Sequence, residues 1–335
     1  MKRTAKTIIV SLILLVCLLV SALALAACNK DDFVASYANA KSAWDSAEYK
    51  MSTDTGVIDA TLGSGEGAVP VKITLEGKRV YLGGAFRMDY TVKVDGLDAI
   101  ASGIFAGALE NGLDVDLSVR KSADGVFTLD AVALSGIYSL AEGVTFTEQS
   151  LHDTIPVLDF AAATFYDPEA LSGSGNSYTI PGDTSLKWIL DQVAPILAYD
   201  AGYDIMPMIY DWIDFGDVTG SVTFSNGNFA AMTTSQDITA FMPYEDAEFL
   251  AYNVEFFPRI LFNLIENKTI DIAGLITLDF SDVIGEEGIR IEGNVSTSAQ
   301  YTLLSADTTF EDIFGDNGHM YESDKINAVR LLDRD

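Results

Sequence analysis

The chain has 335 residues, of which 49% are hydrophobic, and a formal net charge of −29 at pH 7. A charge this negative repels the phosphates of nucleic acids, so the composition excludes a nucleic-acid-binding protein. It also excludes attraction to anionic lipid headgroups through a basic patch. The aromatic content of 10% excludes a disordered chain, and the length is sufficient for one large domain or two medium ones.

The first 28 residues have the three parts of a secretory signal. Three basic side chains within the first six positions precede an apolar stretch from Ile8 to about Leu25. The small residues Ala26 and Ala27 then precede Cys28. Because the apolar stretch is about long enough to span a bilayer, a retained transmembrane helix is one alternative and an ordinary secretory signal is another. The polar residues that follow Cys28 at once favour cleavage.

The sequence Leu25-Ala26-Ala27-Cys28 resembles the lipobox of bacterial lipoproteins. The resemblance implies that residues 1–27 are a signal peptide and that Cys28 becomes the first residue of the mature chain. It also implies a thioether-linked diacylglycerol on Cys28, with or without an added N-acyl chain. Residues 28–32 would then be the lipid anchor and its tether. The expected location is the extracytoplasmic face of the bacterial cell membrane. The membrane itself is the expected partner, because several acyl chains together anchor a protein stably.

Cleavage would leave a mature chain without a free thiol. Cys17 would leave with the signal and Cys28 would be acylated, so we expect neither a disulfide nor a cysteine-bound zinc ion. Residues 28–335 contain 17 basic and 49 acidic residues, which give a formal charge of −32. We expect these acidic side chains to form a solvated surface.

Residues 33–165 are predicted to form a helix followed by an antiparallel meander. Four apolar residues recur at helical spacing along one face of the first segment, namely Phe33, Tyr37, Ala40 and Trp44. From about Lys50 the pattern changes to alternating apolar and polar residues, which is typical of strands with one buried face. Strands are predicted at 69–76, 79–82, 86–94, 113–119 and 126–134, with a hairpin turn at Asp124-Gly125.

The stretch 166–184, rich in Gly, Ser and Pro, is predicted to be a linker or loop. Residues 185–305 are predicted to hold helices and antiparallel strands, either as a second domain or as a continuation of the same sheet. Apolar helical stripes lie between Leu186 and Ile213, and a bent helix is predicted from Glu245 to Asn267. Asn226-Gly227 is the strongest hairpin signal. Further strands are predicted at 220–225, 229–235, 269–280 and 289–304, before an acidic C-terminal segment at 306–335.

These patterns predict an α+β fold in which amphipathic helices cover one face of a curved, mainly antiparallel, half-barrel-like β-sheet. Consecutive amphipathic strands argue against the alternating β-α-β units of periplasmic solute-binding proteins. The layout resembles the LolA/LolB lipoprotein carriers and the mycobacterial LppX/LprG lipid carriers over about residues 30–305, without a shared motif. That resemblance implies an apolar cavity for acyl chains between the sheet and the helices.

The sequence gives little support to catalysis. His152 and His319 are the only histidines, and neither lies in the context of a catalytic triad or a metal-binding helix. Ser118-Val119-Arg120-Lys121 matches a Ser-x-x-Lys pattern, but it lies in a predicted strand and no Lys-Thr-Gly follows it. The acidic residues around Gly315 lack EF-hand spacing. We therefore expect no enzyme, no cofactor and no metal site.

Two functions remain open. In the first, the domain binds a lipid or another apolar ligand between the sheet and the helices. The predicted lining of that site is Leu190, Ile209, Trp212, Phe256, Ile260 and Leu264. In the second, the same apolar stripes pack as a dry core, and the chain is a structural or protein-interaction lipoprotein whose protein partner is unknown. The presence or absence of a large apolar cavity distinguishes the two.

Overall fold

A computed structural model describes residues 30–63, 67–103, 106–133, 138–147, 168–174, 176–185, 187, 210–253, 267–272, 276–284 and 288–315. Within these ranges the chain is mainly β. Twelve strands form one antiparallel sheet, three strands form a small second sheet, and the helices are few and mostly short. The predicted signal peptide and Cys28 lie outside the described residues.

The strands in chain order are β1 (Tyr49–Leu62), β2 (Val69–Leu82), β3 (Ala85–Asp95), β4 (Ala101–Ser102), β5 (Leu113–Lys121), β6 (Val126–Ala133), β7 (Tyr138–Thr147), β8 (Ser172–Ser174), β9 (Ser177–Ile180), β10 (Ile213–Phe215), β11 (Val218–Ser225), β12 (Asn228–Pro243), β13 (Thr269–Ile272), β14 (Ile276–Asp279) and β15 (Gly288–Leu303). The α-helices are α1 (Lys30–Ser46), α2 (Tyr244–Asn253) and α3 (Phe310–Phe314). Short 3-10 helices are found at Leu97–Ile100, Ala106–Asn111 and Pro168–Ala170.

The first and last strands pair in the middle of the large sheet. The strand order is β7-β6-β5-β3-β2-β1-β15-β12-β11-β9-β8, and β10 pairs with β12 outside this path. The pairing of β1 with β15 extends from Lys50 opposite Leu303 to Leu62 opposite Ile291. The sheet therefore consists of two antiparallel meanders that are joined by this pair of strands.

The predicted antiparallel sheet is confirmed, but the sheet is neither closed nor strongly curled. Sheets acquire local bends from β-bulges. In the described pairings, register shifts occur between β6 and β7 and between β11 and β12, near the sides of the sheet. The central pairings among β3, β2, β1, β15 and β12 run without interruption. This uninterrupted register explains why the predicted half-barrel curvature is not seen.

The predicted N-terminal helix is confirmed as α1, which packs against one face of the sheet. We call this the inner face, and its strand residues include Asp54, Tyr90 and Met232; the opposite face is the outer face. The predicted apolar residues of α1 are all buried, with 0–2% of their surface exposed. The three aromatic rings of α1 contact aromatic rings of the sheet at centroid distances of 5.0–5.9 Å, in the pairs Phe33–Phe224, Tyr37–Phe229 and Trp44–Tyr301. These distances are favourable for aromatic pairs.

Lys50 connects the end of α1 to the first strand. Its Nζ donates a hydrogen bond to the backbone carbonyl of Trp44 at 2.6 Å. The ammonium also lies 5.4 Å from the centre of the Trp44 ring. A cation at this position satisfies a carbonyl of the last helical turn and interacts favourably with the helix dipole. Burial lowers the pKa of Lys50, and the charge of Asp45 partly opposes this.

β2 is one strand where the sequence predicts two. Gly77, which we expect to interrupt the strand, lies within it opposite Tyr90 of β3. A Cβ atom at Gly77 would lie 2.6 Å from the Tyr90 ring and 2.2 Å from the carbonyl oxygen of Asp89. Glycine is therefore needed because the tyrosine ring covers this part of the strand. Aromatic rings that cover a cross-strand glycine in this way stabilise sheets.

Other elements also differ from their predictions. Within 166–184, predicted as a linker or loop, β8 and β9 lie in the large sheet. Residues 269–280, predicted as one strand, form the hairpin of β13 and β14, which pairs with β4 in the small sheet. Ile213, predicted at the end of a helical stripe, begins β10. The small sheet and the 3-10 helices at Leu97–Ile100 and Ala106–Asn111 pack on one end of the large sheet, where they bury a second apolar cluster: Val69, Val71, Leu97, Leu109, Val115, Ala133, Ile276, Leu278, Phe280, Val283 and Ile284.

The predicted hairpin at Asn226-Gly227 is confirmed. The φ angles of these residues are +52° and +76°, and the turn joins β11 to β12. Positive φ at both central residues is the requirement of a type I′ turn, which matches the twist of the two strands.

Replacing Gly227 with Ala should lower the free energy of unfolding by about 1 kcal/mol, because a Cβ is disfavoured at positive φ. The added methyl group meets no atom within 4 Å, so the loss isolates backbone strain. Gly107→Ala is the control, since its site is equally open and its φ is not positive. Equal free energies of unfolding for the two variants, measured by urea denaturation, would contradict this explanation of the turn.

Candidate functional site

One of the six residues predicted to line a ligand site lies within the described residues. Trp212 is 8% exposed and directly precedes β10. Its Nε1–H donates a hydrogen bond to Oδ2 of Asp246 in α2 at 2.8 Å. The indole therefore links β10 to α2. The remaining predicted positions lie outside the described residues: Leu190, Ile209, Phe256, Ile260 and Leu264.

A buried polar cluster occupies the centre of the inner face. Asp54 of β1 accepts hydrogen bonds from Nε of Arg79 at 3.0 Å, from Nη2 of Arg79 at 3.4 Å and from Ser52 at 3.0 Å. Tyr90 donates a further hydrogen bond to the same carboxylate. The side chains of Asp54 and Arg79 are 0% and 5% exposed. The polar cluster is therefore a buried ion pair, supported by two hydroxyl groups.

The electrostatics of the polar cluster keep Arg79 charged and Tyr90 neutral. Burial alone would lower the pKa of Arg79, but the adjacent Asp54 carboxylate raises it well above its ordinary value. Burial also raises the pKa of Tyr90 well above 10, and Asp54 adds to this effect. Tyr90 is therefore a neutral hydrogen-bond donor at physiological pH.

The polar cluster has little capacity left for a substrate. A carboxylate has about four lone-pair sites, and four donor contacts already reach Asp54. A general base or a nucleophile needs an accessible face, whereas this carboxylate is fully buried. The arrangement is suited to fixing the relative positions of β1, β2 and β3.

Sequence reasoning missed this cluster because its residues reverse the expected pattern. In β1, the buried side of the strand carries the polar residues Lys50, Ser52 and Asp54. Apolar alternation therefore gave no signal for a strand at 49–62. The pattern that could have indicated it is the polar alternation itself, together with Arg79 in the next strand, since a carboxylate and a guanidinium are the usual members of a buried pair.

A different part of the inner face is apolar and lies on β3, β5 and β6. Cross-strand register places Met88 opposite Val119, and Val119 opposite Leu129. The side chains of this apolar half are at most 5% exposed and belong to neither apolar cluster described above: Phe86, Met88, Leu117, Val119, Phe127 and Leu129. Among the described helices, none makes extensive contacts with these three strands.

Among the described residues, two open clefts lie at the surface of the sheet. The first has a volume of about 480 Å³, and its lining includes charged residues of four strands: Asp59, Lys72, Asp95 and Glu292. The second has a volume of about 420 Å³ and lies between α3 and the ends of β3, β5 and β6. Charged side chains line both clefts, whereas a site for an acyl chain is lined mainly by uncharged apolar side chains.

The arginines of the second cleft already have carboxylate partners. Arg87 pairs with Asp89, with Nη2 and Oδ2 2.5 Å apart, and its Cζ lies 4.0 Å from the centre of the Phe314 ring. Arg120 pairs with Asp130. Both arginines of this cleft are therefore paired, and Arg87 connects the outer face to α3.

In the part of the chain that the structure describes, no group of three or more His, Cys, Asp or Glu side chains is arranged to bind a metal ion. Among the described helices, none is both long and apolar enough to cross a membrane. No protein-family model matches the chain, and no curated protein matches it significantly.

Asp54→Asn should lower the free energy of unfolding by about 3–5 kcal/mol, because it leaves the Arg79 charge buried without compensation. The matched control is Asp59→Asn, which removes a carboxylate 4.0 Å from Lys72 on the exposed outer face. We expect that control to cost less than about 1 kcal/mol. Urea denaturation measures the free energy of unfolding of the two variants. Equal losses of this free energy would contradict a buried ion pair at the centre of the fold.

Proposed function

We propose that the chain is a lipid-anchored bacterial lipoprotein on the extracytoplasmic face of the cell membrane. The observation that carries this proposal is the lipobox that ends at Cys28. The position of Phe33 in α1 supports it, because this side chain is buried against the sheet only five positions after Cys28. A mature chain that started at Cys28 would therefore keep all of the packing described above.

Cys28→Ala should abolish acylation and leave the precursor uncleaved or release the protein from the membrane. Cys17→Ala is the control, since that cysteine lies inside the expected signal peptide. Detergent phase partitioning and intact-protein mass spectrometry measure the two variants. A Cys28→Ala protein with the same acyl mass and the same partitioning as the unchanged protein would contradict the proposal.

The domain's proposed activity is to bind a lipid or a similar apolar ligand against the apolar half of the inner face. Support comes from the contrast between the two meanders. α1 covers the inner face on β9, β11, β12 and β15. Among the described helices, none packs extensively on β3, β5 and β6. The ligand would lie between this half of the sheet and the amphipathic helical segments that the sequence predicts at 186–213 and 249–265.

The physical basis of this proposal is burial without charge. Each 100 Å² of apolar surface removed from water contributes about 2.5 kcal/mol, so a long acyl chain needs no ion pair to be held. The aliphatic side chains of the apolar half suit such a chain. An acyl anchor would keep the domain next to a source of lipid.

The ligand proposal predicts that Val119→Thr weakens binding of a dansyl-labelled fatty acid about fivefold or more, because a hydroxyl group replaces a methyl group at the contact. Val222→Thr is the matched control. It makes the same change at a site that is 1% exposed, against 0% for Val119, but it lies beneath α1. We expect this control to lose stability and to keep its affinity.

Fluorescence titration gives the affinities, and native mass spectrometry of residues 30–335 detects copurified lipid. The proposal expects saturable binding and a lipid mass in the unchanged protein. Absence of both, or equal weakening by Val119→Thr and Val222→Thr, would contradict it.

One observation favours a second candidate, a structural or protein-interaction lipoprotein with a dry core. The described core beneath α1 is closely packed, and Phe33, Tyr37, Phe224, Phe229 and Tyr301 form a continuous series of ring contacts. If the apolar half were packed in the same way, no space would remain for a ligand. The native mass measurement distinguishes this candidate from the first.

A further inference from the structure

Charged residues are absent from three segments of this strongly acidic chain. The segments are 170–182, 218–236 and 293–306, which contain 13, 19 and 14 residues. Charged residues make up 21% of the whole chain, so about ten would be expected among these 46. Gly, Ser, Thr and Asn take their place in the turns.

The fold brings these segments together. The first contains β8 and β9, the second contains β11 and the beginning of β12, and the third contains most of β15. These strands are neighbours in the order β15-β12-β11-β9-β8, which ends at one side of the sheet. The turn of Asn226-Gly227 projects from one end of the same strands. We call this region the uncharged corner.

The N-terminus of α1 lies at the uncharged corner. Phe33, in the first turns of the helix, contacts Phe224, the residue before the β11–β12 turn begins at Ser225. The helix also contacts β8 and the 3-10 helix at Pro168–Ala170. Phe33 follows Cys28 by five positions, and an extended chain covers at most about 17 Å over that length. Acylation of Cys28 would therefore hold the anchor within reach of this corner.

We propose that the uncharged corner faces the lipid bilayer to which Cys28 is attached. This inference rests on the proposed acylation of Cys28. A tether as short as residues 28–32 gives the domain little freedom to turn, so the surface next to the anchor is held at the headgroups. A mature chain with a charge of −32 would be repelled by anionic headgroups if its carboxylates faced them. The three uncharged segments contribute no carboxylate to that repulsion, and Asp31, Asp32 and Glu169 are the acidic residues nearest to them at the N-terminus of α1.

The distribution of charge elsewhere in the sheet agrees with this orientation. Asp59, Asp95, Asp237 and Glu292 lie toward the other end of the strands, about 30–40 Å from the β11–β12 turn at 3.4 Å per residue. The orientation therefore points these carboxylates away from the membrane. The uncharged hydroxyl and amide groups of the corner, such as those of Ser225 and Asn228, can form hydrogen bonds with lipid headgroups.

Site-specific labelling of the acylated, full-length mature protein tests the orientation. Acylation of Cys28 leaves the mature chain without a thiol, so one introduced cysteine takes the label. Ser225→Cys places a small maleimide fluorophore at the uncharged corner. Two controls are Thr61→Cys, at the far end of β1, and Ala123→Cys, in the β5–β6 turn near the other side of the sheet. All three positions are exposed.

The labelled proteins are reconstituted into vesicles of phosphatidylcholine and phosphatidylglycerol that carry a nitroxide on a fraction of the headgroups. We expect at least threefold stronger quenching at position 225 than at positions 61 and 123. Quenching at 225 that is equal to or weaker than at either control, in protein that floats with the vesicles, would overturn the orientation and leave the anchor intact. Failure of the unlabelled protein to float would contradict the anchor, and the orientation with it.

Discussion

The pairing of the first strand with the last is the constraint on which the rest of this fold depends. β1 and β15 are separated by more than 200 residues in the chain, and they lie side by side in the middle of the sheet. β1 is the innermost strand of one meander and β15 is the innermost strand of the other. Without this pairing the two halves would share no continuous hydrogen-bonded ladder. Contacts between residues so distant in sequence form late, because the loop must close before the contacts stabilise it. The buried ion pair of Asp54 and Arg79 lies beside this junction and fixes β1 against β2.

The inner face is divided by chemistry into regions with different roles. α1 and its aromatic partners form a packed core at one side, and the small sheet covers a second apolar cluster at one end. The polar cluster lies at the centre, where it favours one register over others, because a one-residue slip of β1 would move Asp54 to the opposite face, away from Arg79. The apolar half on β3, β5 and β6 lies beyond it. This division separates the part of the sheet that packs against α1 from the part proposed to hold a ligand.

Sequence patterns were sufficient where local chemistry determines the structure. The helical spacing of Phe33, Tyr37 and Trp44 predicted α1, and Asn226-Gly227 predicted its turn, because both depend on residues close in sequence. The sequence did not predict that β2 continues through Gly77, since the ring that covers this glycine comes from Tyr90 on the neighbouring strand. The polar residues of β1 were missed for a similar reason. Arg79, the partner of Asp54, is 25 positions away in the chain, and the pairing of β1 with β2 brings the two side chains together. Of the predicted ligand lining, Trp212 is described, and its indole is bound to Asp246.

Native-state hydrogen exchange, followed residue by residue, tests the central position of the β1 and β15 pairing most directly. Amide protons of Thr53 to Val57 and of Val295 to Ala299 should exchange only by global unfolding, with protection that equals the free energy of unfolding measured in denaturant. The strands at the two sides of the sheet, β7 and β8, should exchange much faster through local opening. If the amides of β15 exchanged as rapidly as those of β7 and β8, the two meanders would open independently, and the pairing would not be the junction of the fold.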